Sequence, residues 1–240
     1  MKRLCGLVGD EISEEQAKQK AIDVIGDSNV SEINSLGYLQ NVAIPVYNFE
    51  IKNINSEKIN ISISKKGGYI VNMNLNREIE MEVISQNDAK QKGKEFLDRN
   101  GFENMQATYY LNQSGILTIN YASVQDNVVL YPDLIKVKIA LDNGEVLGME
   151  ATGYLNNHTK RDFSVIEISK EEAKKFINEN LEITDEGLAL IPTEFKTEIL
   201  CYEFKGIVDD RKFLVYINVE NGREEDILII TDTENGVFAM

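Results

Sequence analysis

Apolar residues recur along this chain in two rhythms, and the pair of rhythms comes round three times. A helical rhythm leads each time: Ala17, Ala21, Val24 and Ile25; then Ala89, Phe96 and Leu97; then Ala173, Phe176, Ile177 and Leu181. These spacings put each set on one face of a helix, with Lys and Glu opposite. Such a helix lies on something flat and apolar, and a two-residue rhythm follows to supply it. Ile59, Ile61 and Ile63 alternate with Asn60, Ser62 and Ser64, and Ile135, Val137 and Ile139 alternate with Lys136 and Lys138. That alternation predicts strands with one buried and one wet face.

Strands are predicted in "VAIPVYNFEIK" and "KINISISKKGGYIVNMNL"; then in "ATYYLN", "GILTINYASV", "LIKVKIAL" and "EVLGMEATG"; then in "LALIPTE", "EILCYEFKGIV", "KFLVYINV" and "REEDILIITD". Tight turns are predicted at Gly67-Gly68, Ser114-Gly115, Asp126-Asn127, Asp142-Asn143-Gly144, Asp209-Asp210 and Asn221-Gly222, all turn formers that tolerate positive φ.

Each helix opens with nearly the same word: "ISEEQAKQKA", "ISQNDAKQKG" and "ISKEEAKKFI". Ser13, Ser85 and Ser169 stand where an N-cap is needed. Gln16 and Glu172, three residues on, complete a capping box, and Asp88 suits the positive helix end. Ile12, Ile84 and Ile168 each face an alanine in a hydrophobic staple. The predicted architecture is α+β: three tandem modules, each one helix packed on an antiparallel three- or four-stranded meander. Their expected bounds are 12–80, 84–155 and 168–240, with a tail at 1–11 and a linker at 156–167. A unit of this size buries a limited core, so the modules should pack on one another or on a partner.

Composition is that of ordinary globular material, 42% hydrophobic and 27% charged over 240 residues. The net charge of −15 repels nucleic acid phosphates and anionic lipids, so neither is expected as a general partner. Solubility alone accounts for the charge; a basic protein is the electrostatically matched partner. "MKRLCGLVGD" has no apolar segment after its basic residues and reads as no secretory or lipoprotein signal. With the first repeat beginning only at residue 12, the chain is expected to be a segment excised from a longer protein. Cys5 falls in the tail and Cys201 reads as a small apolar filler of a strand.

Reactive constellations are sparse. His158 is the sole histidine and reads as a linker residue, the alternative being a triad assembled through space. There is no Gly-x-Ser-x-Gly, His-Glu-x-x-His, paired Cys-x-x-Cys or phosphate-binding glycine loop. Glu224-Glu225-Asp226, with Asp232 and Glu234 beyond, is weighed as a carboxylate cluster and read as a solvated strand. No catalytic residue, cofactor or metal is assigned. Tyr131-Pro132-Asp133 reads as a strand-entry bend or an aromatic anchor for a partner. Lys160-Arg161 reads as a solvated basic spot that a partner can also use. These five residues are the candidate partner contacts.

The pattern Ser-x-x-[Asp/Glu/Gln]-Ala-Lys, with a later turn reading "LDNGEVLG" or "VENGREED", resembles the PepSY domain. The ordered phrases "ISKKGGYIVNMN", "VVLYPDLIKVKIALDNGEVLGMEATGYL", "RDF" and "LIPTEFKTEILCYEFKG" with "FLVYINVENGREEDILII" resemble YpeB-type spore germination proteins from about residue 12 onward. The resemblance implies a non-enzymatic protein of endospore-forming bacteria. It implies a spore cortex-lytic enzyme of the SleB type as partner, each needed for the other's stable presence and the enzyme restrained until germination. It also implies a place outside the inner spore membrane, at the boundary with the cortex. The membrane anchor and further N-terminal region of the family are absent from this sequence, so no membrane contact is expected of it. A hydrolase acting on peptidoglycan through acidic residues and a general PepSY protease inhibitor are the alternative readings.

Overall fold

The computed structural model describes residues 6–195, 197–233 and 236–239; Cys5 and Glu234 lie outside the described residues. Helix α1 (Glu14–Ile25) leads into strands β1 (Val30–Leu39), β2 (Val46–Asn53), β3 (Lys58–Ser64) and β4 (Ile70–Leu75). Helix α2 (Gln86–Arg99) leads into β5 (Met105–Gln113), β6 (Ile116–Gln125), β7 (Val128–Ala140) and β8 (Val146–Glu150), and a short α3 (Thr152–Asn157) follows. One turn of helix, α4 (Lys170–Ala173), tightens into a 3-10 turn at Lys174–Phe176 before β9 (Glu182–Pro192), β10 (Glu198–Val208), β11 (Arg211–Asn218), β12 (Glu224–Thr233) and β13 (Gly236–Ala239). The fold is mixed α+β with a mostly antiparallel sheet.

All three predicted caps form. Ser13 and Ser169 accept from the backbone N–H of Gln16 and Glu172, whose side chains accept in return, and Ser85 accepts from Asp88. The isoleucine before each cap hangs from the sheet by one backbone bond: Ile12 donates to Lys65 at 2.8 Å, Ile84 to Leu141 at 2.9 Å and Ile168 to Val219 at 3.1 Å. The accepting residues donate back across their own strands, Lys65 to Pro45, Leu141 to Gly115 and Val219 to Leu200. A cap, a suspended isoleucine and a return bond thus recur at matching places. Fully buried Ala17, Ala89 and Ala173 let each helix sit close on its strands.

The strands do not remain behind their own helices. β4 pairs with β8, β5 with β13, and β7 with β9, so the expected meanders run on into one hydrogen-bonded sheet. From β7 through β6, β5, β13, β12, β11, β10 and β9 the order returns to β7, closing a ring of eight strands. A single core joins α1, α2 and β2–β8, with Phe49, Ile61, Leu97, Phe102 and Leu117 inside it. β9–β12 have a separate core under α4 (Phe204, Val215, Ile217) and another inside the ring (Ala189, Cys201, Leu214, Tyr216).

Five expectations change in detail. β1 was not predicted: nearly every residue in it is exposed, so it carries no alternation. The third helix stops at Phe176, short of Ile177 and Leu181, because the side chain of Asn178 captures the N–H of Asn180 at 2.9 Å and folds the chain into a competing turn. Five strands rather than four follow it. Residues 6–11 are no loose tail, since Leu7 is buried and Gly6 donates to Leu155 at 3.2 Å. The segment expected as a linker begins within α3, whose Tyr154 and Leu155 are buried.

Candidate binding site at the β7 bulge

Pairing between β6 and β7 runs to Ser123↔Leu130 and resumes at Ala122↔Leu134, leaving Tyr131, Pro132 and Asp133 as extra residues in a bulge. Pro132 lies in the middle of the strand, not at its entry, and is tolerated there because a bulge asks for no ladder donor. The residues just before the bulge, Val128 to Leu130, pair in parallel with Leu188 to Leu190 on β9. The bulge therefore stands at the joint between the second and third groups of strands.

Asp133 has no exposed surface. It accepts from Arg161 Nη1 at 2.6 Å and Nη2 at 2.8 Å, and His158 Nδ1 lies 2.8 Å from its Oδ2. The other edge of the Arg161 guanidinium donates to Glu198 of β10 at 3.0 and 2.7 Å. Gln125 fixes the Arg161 backbone through both its N–H and its carbonyl. One cation is thus shared between a carboxylate of β7 and one of β10. Burial opposes its charge, but hydrogen bonds to Glu198 and Asp133 outweigh that and hold Arg161 above its ordinary pKa. His158 stacks on Tyr154, ring centroids 4.2 Å apart, and burial pushes the Tyr154 phenol up to about 12.

On the ring's inner side, Tyr131 donates to Glu203 Oε2 at 2.7 Å and Tyr216 donates to the same oxygen at 2.9 Å. Tyr109 stacks on Tyr131 at 6.3 Å, and Lys205 lies 3.7 Å from the other Glu203 oxygen while bonding Asp185 at 2.9 Å. Burial first, and the Glu203 charge next, raise the phenols of Tyr131 and Tyr216 well above their usual range. Burial pushes the Cys201 thiol up to about 12. These groups stay protonated at neutral pH and act as donors or filler rather than nucleophiles.

Two of the five sequence candidates, Asp133 and Arg161, come together in a buried ion pair, while half-buried Tyr131 turns to the ring's inner side and bonds Glu203. Arg161 is corrected from a solvated basic spot to a side chain 8% exposed. Pro132 is half-buried at the bulge and Lys160 is exposed. Sequence reasoning missed Gln125, Glu198, Glu203, Tyr109 and Tyr216. The signal for Glu203 was the alternation Cys201, Glu203, Lys205 against Tyr202 and Phe204, which puts a carboxylate on the face of a buried cysteine. At the start of β12, Glu225 accepts from Asn218 at 2.9 Å. Among the described residues no group of three or more His, Cys, Asp or Glu could hold a metal ion.

The raised phenols set an alkaline limit. Above pH about 10 the unfolded chain ionises its tyrosines, while Tyr109, Tyr131, Tyr154 and Tyr216 resist in the folded state. Stability is therefore fully present below pH about 10 and declines as pH rises toward the raised values. Tyrosinate absorbance of these residues should appear together with loss of circular dichroism; ionisation of all ten tyrosines near pH 10 with structure intact would contradict it.

Residues 2–164 match the family model described as YpeB sporulation, PepSY1 and PepSY2 domains, and residues 167–228 match that described as peptidase propeptide and YPEB domain. Sporulation protein YpeB of Bacillus subtilis is 35% identical over 95% of this chain and 51% of that protein, and that of Oceanobacillus iheyensis 33% over 91% and 49%. The chain thus spans about half the length of these curated relatives. The solved Bacillus megaterium YpeB C-terminal domain superposes with a TM-score of 0.86 at 30% identity, covering 93% of this chain and 100% of that one. By a family match across most of its length and a shared fold, the chain belongs to the YpeB sporulation family.

Proposed function

We propose that this chain is a non-enzymatic spore germination protein that binds, stabilises and restrains a SleB-type cortex-lytic enzyme until germination. The observation that carries the reading is the threefold recurrence of cap, suspended isoleucine and return bond, which supports three PepSY units at 12–80, 84–155 and 168–240 joined through 156–167. The model matched by residues 167–228 is described as a peptidase propeptide domain, and a propeptide acts on its enzyme by contact. The same description favours a second reading, restraint of a protease.

Contact alone is enough for mutual stabilisation. A partner that binds only the folded form shifts both folding equilibria by mass action, so loss of either exposes the other. Of the sequence-selected contacts, Lys160 is exposed and Tyr131 and Pro132 are half-buried. The place of action is the outer side of the inner spore membrane, at the cortex. Among the described residues no helix is long and apolar enough to cross a membrane.

Sedimentation of the folded chain mixed with the lytic enzyme tests the reading. A discrete complex in which both proteins melt at higher temperature is expected. Two independent species with unchanged melting would contradict it, and a complex formed instead with a metalloprotease would favour the second reading.

A further inference from the structure

The third group of strands has a sheet face that its own helix does not cover. α1 and α2 run for 12 and 14 residues, and their last turns reach over the strands: Val24, Ile25 and Phe96 border the same 340 Å³ cleft as Ile59, Met73 and Leu75. Met73 and Leu75 are accordingly buried. α4 and its 3-10 continuation stop at Phe176, so they lack the turns that would do the same for β11 and β12.

Cross-strand partners share a face. Ile227 pairs with Val215 and Ile229 with Phe213, which places both isoleucines on the α4 side. Val215 lies under α4 and is buried, whereas Ile227 and Ile229 are 47% and 44% exposed, and Phe176 at the truncated helix end is 55% exposed. The apolar face thus continues past the point where its helix ends.

We propose that this face takes an amphipathic helix from a partner protein, with an apolar stripe and lysine or arginine flanks. It rests on the reading of the chain as a binding protein and assigns the surface. Two observations fix the occupant. The chain covers its other two sheet faces with helices that carry apolar stripes, so a helix is the element this kind of face already takes. Residues 168–240 also hold 17 acidic and 8 basic side chains, a net −9 of the chain's −15. Glu171 on α4, Glu179 just past it and Glu224 at the start of β12 are exposed, as are the cations Lys175, Arg211 and Arg223, so the acidic excess of the whole group sets the sign. A basic flank is attracted and an acidic one repelled, with a strength that falls as salt rises.

The probe is a hydrocarbon-stapled peptide with the apolar spacing of α2 and lysine flanks, titrated into the whole chain by fluorescence anisotropy; stapling removes the instability of a short free helix. Saturable binding is expected, weaker by at least about tenfold in the double variant Ile227→Thr, Ile229→Thr, and lost when the flanks are glutamate. Threonine keeps strand preference at two half-exposed positions, and an unchanged melt verifies the fold. Equal binding to the variant, or no binding of either peptide, overturns the assignment. Concentration-dependent dimers that the variant abolishes would give the face to a second copy and overturn it as well. A chain that binds the lytic enzyme equally well with and without the two substitutions refutes this surface while leaving the proposed function standing. One that binds the peptide but not the enzyme does the reverse.

Discussion

Asp133→Ala is expected to destabilise the chain by about 3–5 kcal/mol, because it takes the buried countercharge from the Arg161 guanidinium and leaves that edge only the carbonyls of Thr159 and Asn157. Arg161 keeps Glu198, but that carboxylate is 34% exposed and bonds the opposite edge, so it does not replace the lost partner. For a chain of this length the loss lowers the melting temperature by roughly 6–20 °C. Arg161→Met should cost a similar amount, since it leaves Asp133, which has no exposed surface, only the His158 ring nitrogen as partner. The double variant should be much less damaged than the sum, as expected when an ion pair is replaced by apolar groups. Asp98→Ala serves as the control: its bond to Lys94 joins side chains 41% and 43% exposed, and breaking it should cost no more than about 0.5 kcal/mol. Calorimetry of the four proteins decides. Additive losses would show that the network is not a coupled unit.

Gly93→Ala is expected to destabilise by about 1–3 kcal/mol, although alanine is the better helix former by about 1 kcal/mol. Gly93 sits in the middle of α2, and a methyl group there would lie 2.2 Å from the hydroxyl of Tyr121. Tyr121 cannot swing aside: it has no exposed surface, and its hydroxyl donates to the Lys90 carbonyl at 2.7 Å. Tyr121→Phe removes the clashing oxygen but leaves ring carbons 3.0 and 3.3 Å from the methyl, so the pair Gly93→Ala, Tyr121→Phe should recover part of the loss. Chemical denaturation of the singles and the double measures this. A stabilised Gly93→Ala single would mean that helix and strand are free to separate slightly.

These two sites differ in how visible they were. The three serine caps, and turns such as Asp126-Asn127 and Asp209-Asp210 with both residues at positive φ, follow from local chemistry, and the sequence announces them. β1 gave no signal because exposed strands need no alternation. The early end of the third helix was written in Asn178-Glu179-Asn180, where a side chain competes with the backbone, but its apolar spacing argued for a longer helix. Asp133, the neighbouring pair His158 and Arg161, and Glu198 lie in three separate stretches of sequence and meet at the bulge where β7 comes beside β10. Arg161 looked like a solvent-facing charge for that reason. Neither periodicity nor composition encodes the pairing of β4 with β8 or β7 with β9, because it depends on which strand edges remain free after the local hairpins close.

Glu203, held by two tyrosine hydroxyls inside the ring, and the Asp133 network outside it lie on the two sides of the same joint. Each spans from β7 to β10 or β11. Both networks therefore tie the third group of strands to the second.

The most direct measurement is cortex hydrolysis by the lytic enzyme alone, with increasing folded chain, and by the chain alone. The account predicts a saturable slowing that levels off near equimolar chain, and no release of cortex fragments by the chain itself. Cortex breakdown by the pure chain, or enzyme activity indifferent to it at every ratio, would contradict the account.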